Sequence, residues 1–159
     1  MIIGALLVLI LAGANAWQYV LKPDPIAPEL TMTSITGEQI ELNALRGKPV
    51  LISFWASSCG VCLAEIEDLV ALHQQHHAQG YTTLAIALSY DKLDRVKALA
   101  AHRHLPYPVI YDAKGEYAKA FNGVSMTPTH FLISPEGKIV WKQVGMIDKA
   151  EVKALIAGE

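Results

Sequence analysis

The order of apolar patterns along this chain predicts an α/β fold, a central mixed β-sheet flanked by helices. Three observations carry that reading. Two short, almost uniformly apolar runs, Val50–Trp55 and Thr82–Ser89, have the length and make-up of strands buried on both faces. Each is followed by a segment whose apolar residues recur at helical spacing, and such alternation argues for parallel pairing through right-handed crossovers. The last third of the chain then places Thr129–Ser134 and Lys138–Val144 around the turn Pro135-Glu136-Gly137, a β-hairpin that adds antiparallel strands.

Taken from the start, Met1–Leu21 holds no charged side chain, and Ile2 to Ala12 is apolar on every helical face. As a helix it rises about 30 Å, enough to cross a bilayer core. Trp17, Tyr19 and Lys22 then fall at headgroup depth. The segment reads as a membrane anchor, with a cleaved signal peptide as the competing reading because Ala14-Asn15-Ala16 has a small-x-small form. Both put the remainder outside the cytoplasm. The usual basic flank before the apolar core is missing, and Lys22 alone favours the opposite orientation, a preference that Asp24 weakens.

Residues 22–28 carry three prolines and read as an extended spacer, so the folded domain is expected to span 29–159. It opens with a hairpin extension, Leu30–Ile35 and Gln39–Leu42 around Thr36-Gly37-Glu38, and a short helical turn and loop over 43–49. After the strand Val50–Trp55, the spacing of Leu63, Ile66, Leu69, Val70 and Leu72 predicts one helix to about His77, stopped by Gly80. A helix over Asp91–His102, an extended Tyr107–Tyr111, a short helix over Tyr117–Phe121 and a closing helix over Asp148–Ile156 complete the pattern.

Composition narrows the function. Thirteen Lys and Arg stand against 15 Asp and Glu in 159 residues, a formal net charge of -2. No basic stripe is present to recruit a phosphate backbone, which argues against nucleic acid as a partner. Much of the 52% hydrophobic content lies in the first 21 residues, and the rest has the make-up of an ordinary soluble domain.

The only two cysteines, Cys59 and Cys62, sit where the buried strand turns into a helix. The first turn of a helix leaves N–H groups unpaired and carries partial positive charge, which favours thiolate over thiol. In Cys-x-x-Cys motifs the pKa falls from about 8.5 to roughly 3.5–7.5. Cys59 is therefore the expected nucleophile, and Cys62, one turn in, the resolving thiol. A purely structural bridge would gain little, because so short a loop removes little unfolded-chain entropy. A zinc site lacks a second Cys-x-x-Cys.

Further motifs surround the pair: Leu45-Arg46-Gly47-Lys48-Pro49-Val50 entering the strand, Phe54-Trp55-Ala56 before Cys59, Cys59-x-x-Cys62-x-x-Glu65, and Val124-Ser125-Met126-Thr127-Pro128-Thr129 before the hairpin. In these the chain resembles the thioredoxin superfamily over roughly residues 27–157, and within it the membrane-anchored thiol–disulfide proteins of the TlpA, ResA and DsbE type. That resemblance implies a thioredoxin-like fold, Pro128 as a cis proline facing the disulfide, and Thr127 presenting its backbone so that an extended substrate segment can add as a strand. It also implies a bacterial inner-membrane location with the domain facing the periplasm or cell exterior, and an integral membrane electron donor. Disulfide-bearing proteins are the expected substrates, no cofactor is required, and the chain is expected to act as a monomer.

The chain departs from that family at several points. Ser58 stands before Cys59 where a bulky residue is common, which opens the rim. Ser53 replaces the buried acid that handles the proton of the second cysteine in thioredoxin itself. Glu65, three residues past Cys62 on the same helical face, becomes the candidate for that task, against the plainer reading of a solvated carboxylate. His130, two residues past Pro128, stands where a small polar residue is usual and is expected either to approach the cysteines or simply to pack. His73, His76 and His77 read as a solvated helix face rather than a metal grip.

The expected activity is thiol–disulfide exchange, most naturally reduction of extracytoplasmic disulfides. Two alternatives share the residues: an oxidase of the same fold, and a copper-binding module using both sulfurs and a nearby histidine. A peroxiredoxin would need Pro-x-x-x-Thr-x-x-Cys, and Ile52 and Ala56 occupy those positions.

Overall fold

A computed structural model describes residues 24–158. The membrane-anchor or signal segment expected over 1–21 lies outside them. Among the described residues no helix is long and apolar enough to cross a membrane.

The centre is a five-stranded mixed sheet in the order β5-β4-β3-β6-β7. Its strands are β3 (Val50–Trp55), β4 (Thr82–Ala87), β5 (Val109–Tyr111), β6 (Thr129–Ile133) and β7 (Ile139–Val144). β3 pairs in parallel with β4 and β4 with β5, whereas β3–β6 and β6–β7 are antiparallel. A separate antiparallel pair, β1 (Thr31–Thr33) and β2 (Gln39–Glu41), forms the expected hairpin extension. It docks beside the sheet through the Ser34–Ile110 bridge and the Ile35 N–H donating to the Val109 carbonyl at 2.8 Å.

β3 is the organising strand because its alternate side chains enter two different cores. Val50, Ile52 and Phe54 pack with Ile86, Ile110, Phe121 and Phe131. Leu51 and Trp55 pack on the other face with Leu69, Leu72, Val96, Leu132 and Val152. The second face holds α2 (Ile66–His76), α3 (Leu93–His102) and α5 (Lys149–Ala157). The strand order explains this. β3 to β4 to β5 steps twice in one direction, so two right-handed crossovers put both helices on one face. The first face is covered by Met32 and Ile40 of the hairpin, Leu42 of a 3-10 turn over Leu42–Leu45, and Ala118 of the short α4 (Glu116–Ala120).

Two departures go beyond a shift of one to three residues at an element's end. The single helix after Cys59 is two helices, α1 (Gly60–Ala64) and α2, separated at Glu65. Helical spacing of apolar residues continues across the break, so periodicity does not reveal it. The proline-rich segment, expected as an extended spacer ahead of the domain, is partly held by it: Pro25 and Ala27 bond to Ile139 and Gly137 at 2.8 and 2.9 Å.

Candidate active site

β3 delivers its last residue, Trp55, to a turn that becomes α1. Cys59 is the N-cap residue of α1, and its Sγ accepts the N–H of Cys62 at 3.2 Å. The two sulfurs form a disulfide. Cys59 is half-buried, while Cys62 is 2% exposed. An incoming thiol or disulfide can therefore reach the first sulfur and not the second. Facing Cys59 is the Thr127 carbonyl oxygen, 3.6 Å from its Sγ, and the Thr127–Pro128 peptide bond is cis.

Three neighbours that no sequence motif marks, Asp91, Tyr111 and Tyr90, organise this upper half. Asp91 is buried just beyond the C-terminal end of β4, and its carboxylate accepts from both the N–H and the hydroxyl of Ser57 and from the N–H of Lys92. It fixes the turn that presents Cys59. Tyr111 donates its hydroxyl to the Asp91 carbonyl at 2.9 Å. The adjacent Tyr90 reaches the other way, its hydroxyl 3.0 Å from Thr127 Oγ1. One short segment thus ties the cysteine turn to the cis-proline loop. A signal for it existed: sites in open α/β sheets collect at the carboxyl ends of parallel strands, and Tyr90-Asp91 directly follows one.

The lower half is buried. Glu65, at the joint between α1 and α2, is 1% exposed, so it is not the solvated helix carboxylate of the plainer reading. Its Oε2 accepts the Ile147 N–H at 3.0 Å, and its Oε1 lies 3.2 Å from His130 Nε2. That second contact has ion-pair distance without hydrogen-bond alignment, so neither atom counts as hydrogen-bonded. Ser53 pairs in register with His130 across β3 and β6. Ser53, Trp55, Cys62, Glu65 and Tyr107 together line a cavity of about 10 Å³ for the centre of a water-sized sphere, about the space of one water. Ser53 Oγ, Trp55 Nε1 and Glu65 Oε1 lack hydrogen-bond partners among the described residues. Burial, and then Tyr81, Glu65 and Glu67, push the Tyr107 phenol well above its ordinary range, so it stays protonated here.

His130 makes no hydrogen bond to either sulfur. It is fully buried, its charged neighbour is Glu65, and its ring stacks with Trp141 at 6.5 Å between centroids. The register explains this: His130 lies opposite Ser53, two residues back along β3 from Trp55, below the cysteine turn. His73 also departs from the solvated face expected for it. It is buried, its Nδ1 accepts the Thr83 N–H at 3.3 Å, and its ring stacks on His77. Burial, and secondarily His77, hold its pKa below the ordinary value. Among the described residues no cluster of three or more His, Cys, Asp or Glu is placed to hold a metal.

Comparison with known proteins agrees with this geometry. The AhpC/TSA family model matches residues 23–142. The chain belongs to that family. It is 33% identical over 128 residues to the thiol-disulfide oxidoreductase ResA of Bacillus thuringiensis subsp. konkukian, covering 80% of this chain and 72% of that protein. A thioredoxin-family thiol:disulfide interchange protein from Chlorobium tepidum TLS superposes with a TM-score of 0.78 at 27% identity, over 86% of this chain and 97% of that one. A DsbE-type interchange protein from Chlorobium tepidum gives 0.76 at 28% identity, over 87% and 97%. The fold is thioredoxin-like and the chain is a thiol–disulfide oxidoreductase.

Proposed function

We propose that this oxidoreductase runs as a reductant, passing two electrons from Cys59 and Cys62 to disulfides of proteins outside the cytoplasm. The observation that carries the two-step exchange is the asymmetry of the pair, with an accessible sulfur beside Thr127 and a buried one above Glu65. Cys59 thiolate attacks a substrate disulfide, forming a mixed disulfide and releasing one substrate thiolate, which takes a proton from solvent. Cys62 then gives its thiol proton to Glu65 and attacks Cys59 Sγ, releasing the second substrate thiolate and leaving the Cys59–Cys62 disulfide.

The substrate is an extended segment laid along the Thr127 backbone. Its apolar side chains would meet Val61, Tyr90, Met126, Val144 and Met146, all exposed. Gly145, between the last two, donates its N–H to the Pro128 carbonyl at 2.9 Å. Trp55 walls the buried sulfur, sharing its core. The apolar segment over 1–21 supplies the link to the membrane, and an integral membrane thiol donor returns the pair to its reduced form.

Insulin reduction with a thiol donor tests this. Turnover above the donor's own background is expected, with Cys59→Ser inactive and Cys62→Ser trapped as a mixed disulfide. Turnover by Cys59→Ser, or tight stoichiometric copper binding without any turnover, would overturn the proposal.

A further inference from the structure

Beneath the disulfide lies a buried carboxylate whose neighbours are unusual for a group that must take and return a proton. Glu65 receives one backbone hydrogen bond, from Ile147 to Oε2, while Oε1, the other oxygen, has His130 Nε2 beside it at 3.2 Å. Among the described residues neither ring nitrogen of His130 has any other protein partner, and the ring is fully buried. Leaving a buried polar group without a partner is unfavourable, so a histidine kept here needs a use for at least one nitrogen. Nε2 faces an acceptor, Glu65 Oε1.

We propose that His130 is a positioning residue for proton transfer, its Nε2–H donating to Glu65 Oε1 to hold that carboxylate charged and aimed at Cys62. The inference rests on the oxidoreductase reading and deepens it. A small turn of the ring or carboxylate aligns the contact, as apo sites often require. The proton leaves Cys62 Sγ, resides on Glu65 while Cys62 attacks Cys59, and returns when the pair is next reduced. His130 neither gains nor loses a proton, and the electrons pass only between the sulfurs and the substrate.

Few other charges bear on the pair. From α1 it meets Cys62, and from the approach to β5 it meets Tyr107, whose phenol stays protonated. His73 of α2 touches Tyr107 edge-on and is occupied by the Thr83 N–H. On β7, Gln143 is opposite His130 and neutral, and Lys142 lies over the Phe131 ring. Beyond Ile147, Asp148 caps α5 and Lys149 pairs with Asp68. Glu67 of α2 pairs with Arg103. β3 contributes only Ser53 and Trp55 to the cavity.

The test follows the reduced protein reacting with a small chromogenic aromatic disulfide. The first equivalent of chromophore released reports attack by Cys59, and the second reports attack by Cys62 on the mixed disulfide. His130→Leu should leave the first phase within about twofold. It should slow the second about tenfold at pH 7 and change the pH profile of that phase. His130→Gln, which keeps a donor near the Nε2 position, should restore the rate to within about threefold, whereas the shorter His130→Asn should not; this pair carries the test if His130→Leu does not fold. In a Glu65→Gln background the His130 substitutions should add nothing. An unchanged second-phase profile in His130→Leu, or an equal slowing with and without Glu65, would overturn the proposal. Because this assay needs no protein substrate, a wild type that shows both phases yet fails to reduce insulin would sink the substrate reading and leave His130 standing.

Discussion

The upper and lower halves of the site are built from different materials. Above, Cys59, Thr127, Tyr90 and the turn held by Asp91 are accessible or tied by ordinary hydrogen bonds between loops. Below, Cys62, Glu65, His130, Ser53 and Trp55 are buried, and four of them present side-chain atoms without an aligned protein partner. An exchange of sulfurs with another protein needs reach and a backbone to pair with, which loops at the carboxyl ends of parallel strands provide. Moving a proton inside the protein needs a group whose charge is not masked by water. The cost of burying such groups unpaired is the mark of a functional site rather than a structural one.

Substitutions separate the halves. Cys59→Ser should remove turnover to the uncatalysed background while leaving the fold intact, read by insulin reduction beside a thermal melt. Glu65→Gln should slow resolution by about a hundredfold and barely change the first attack, which two-phase kinetics resolve. If both phases slow equally, the division between halves is wrong. Asp91→Ala leaves the Ser57 N–H and hydroxyl without their acceptor. It should lower stability by about 1–3 kcal/mol in denaturant titration and slow attack by Cys59 more than resolution by Cys62. The reverse order would assign Asp91 to the lower half.

The smallest effect lies outside the site. His73 is held below the ordinary 6.5 of a histidine, chiefly by burial. The unfolded chain therefore binds more protons than the folded one as pH falls below that value. Its contribution to stability is present above about pH 6.5 and is lost on acidification. Melting temperature against pH should flatten in that window in His73→Asn. A slope unchanged by the substitution would remove His73 from the pH response.

Much of this was legible from residues alone where local pattern decides. The uniform apolar runs fixed β3 and β4, the hairpin turn fixed β6 and β7, and the Cys-x-x-Cys at a strand-to-helix junction gave the chemistry. What escaped depends on long-range register. His130 meets Glu65 because β6 pairs antiparallel with β3 so that His130 faces Ser53. Asp91 matters only because β4 lies beside β3, bringing two loop ends together. The break at Glu65 is invisible to periodicity, since Ile66 and Leu69 continue the apolar stripe across it. His73 follows a helical pattern that also marks exposed faces, and only the packing of Tyr81 and Tyr107 around it makes it core.

The direction of electron flow is the central claim, and the equilibrium of the Cys59–Cys62 pair with reduced and oxidised glutathione tests it most directly. Related active sites run from about -270 mV in thioredoxin to about -120 mV in the strong oxidant DsbA. A reductant of extracytoplasmic disulfides is predicted to poise below about -200 mV, with the dithiol able to reduce insulin; a potential near about -120 mV would make the chain an oxidase and contradict the account.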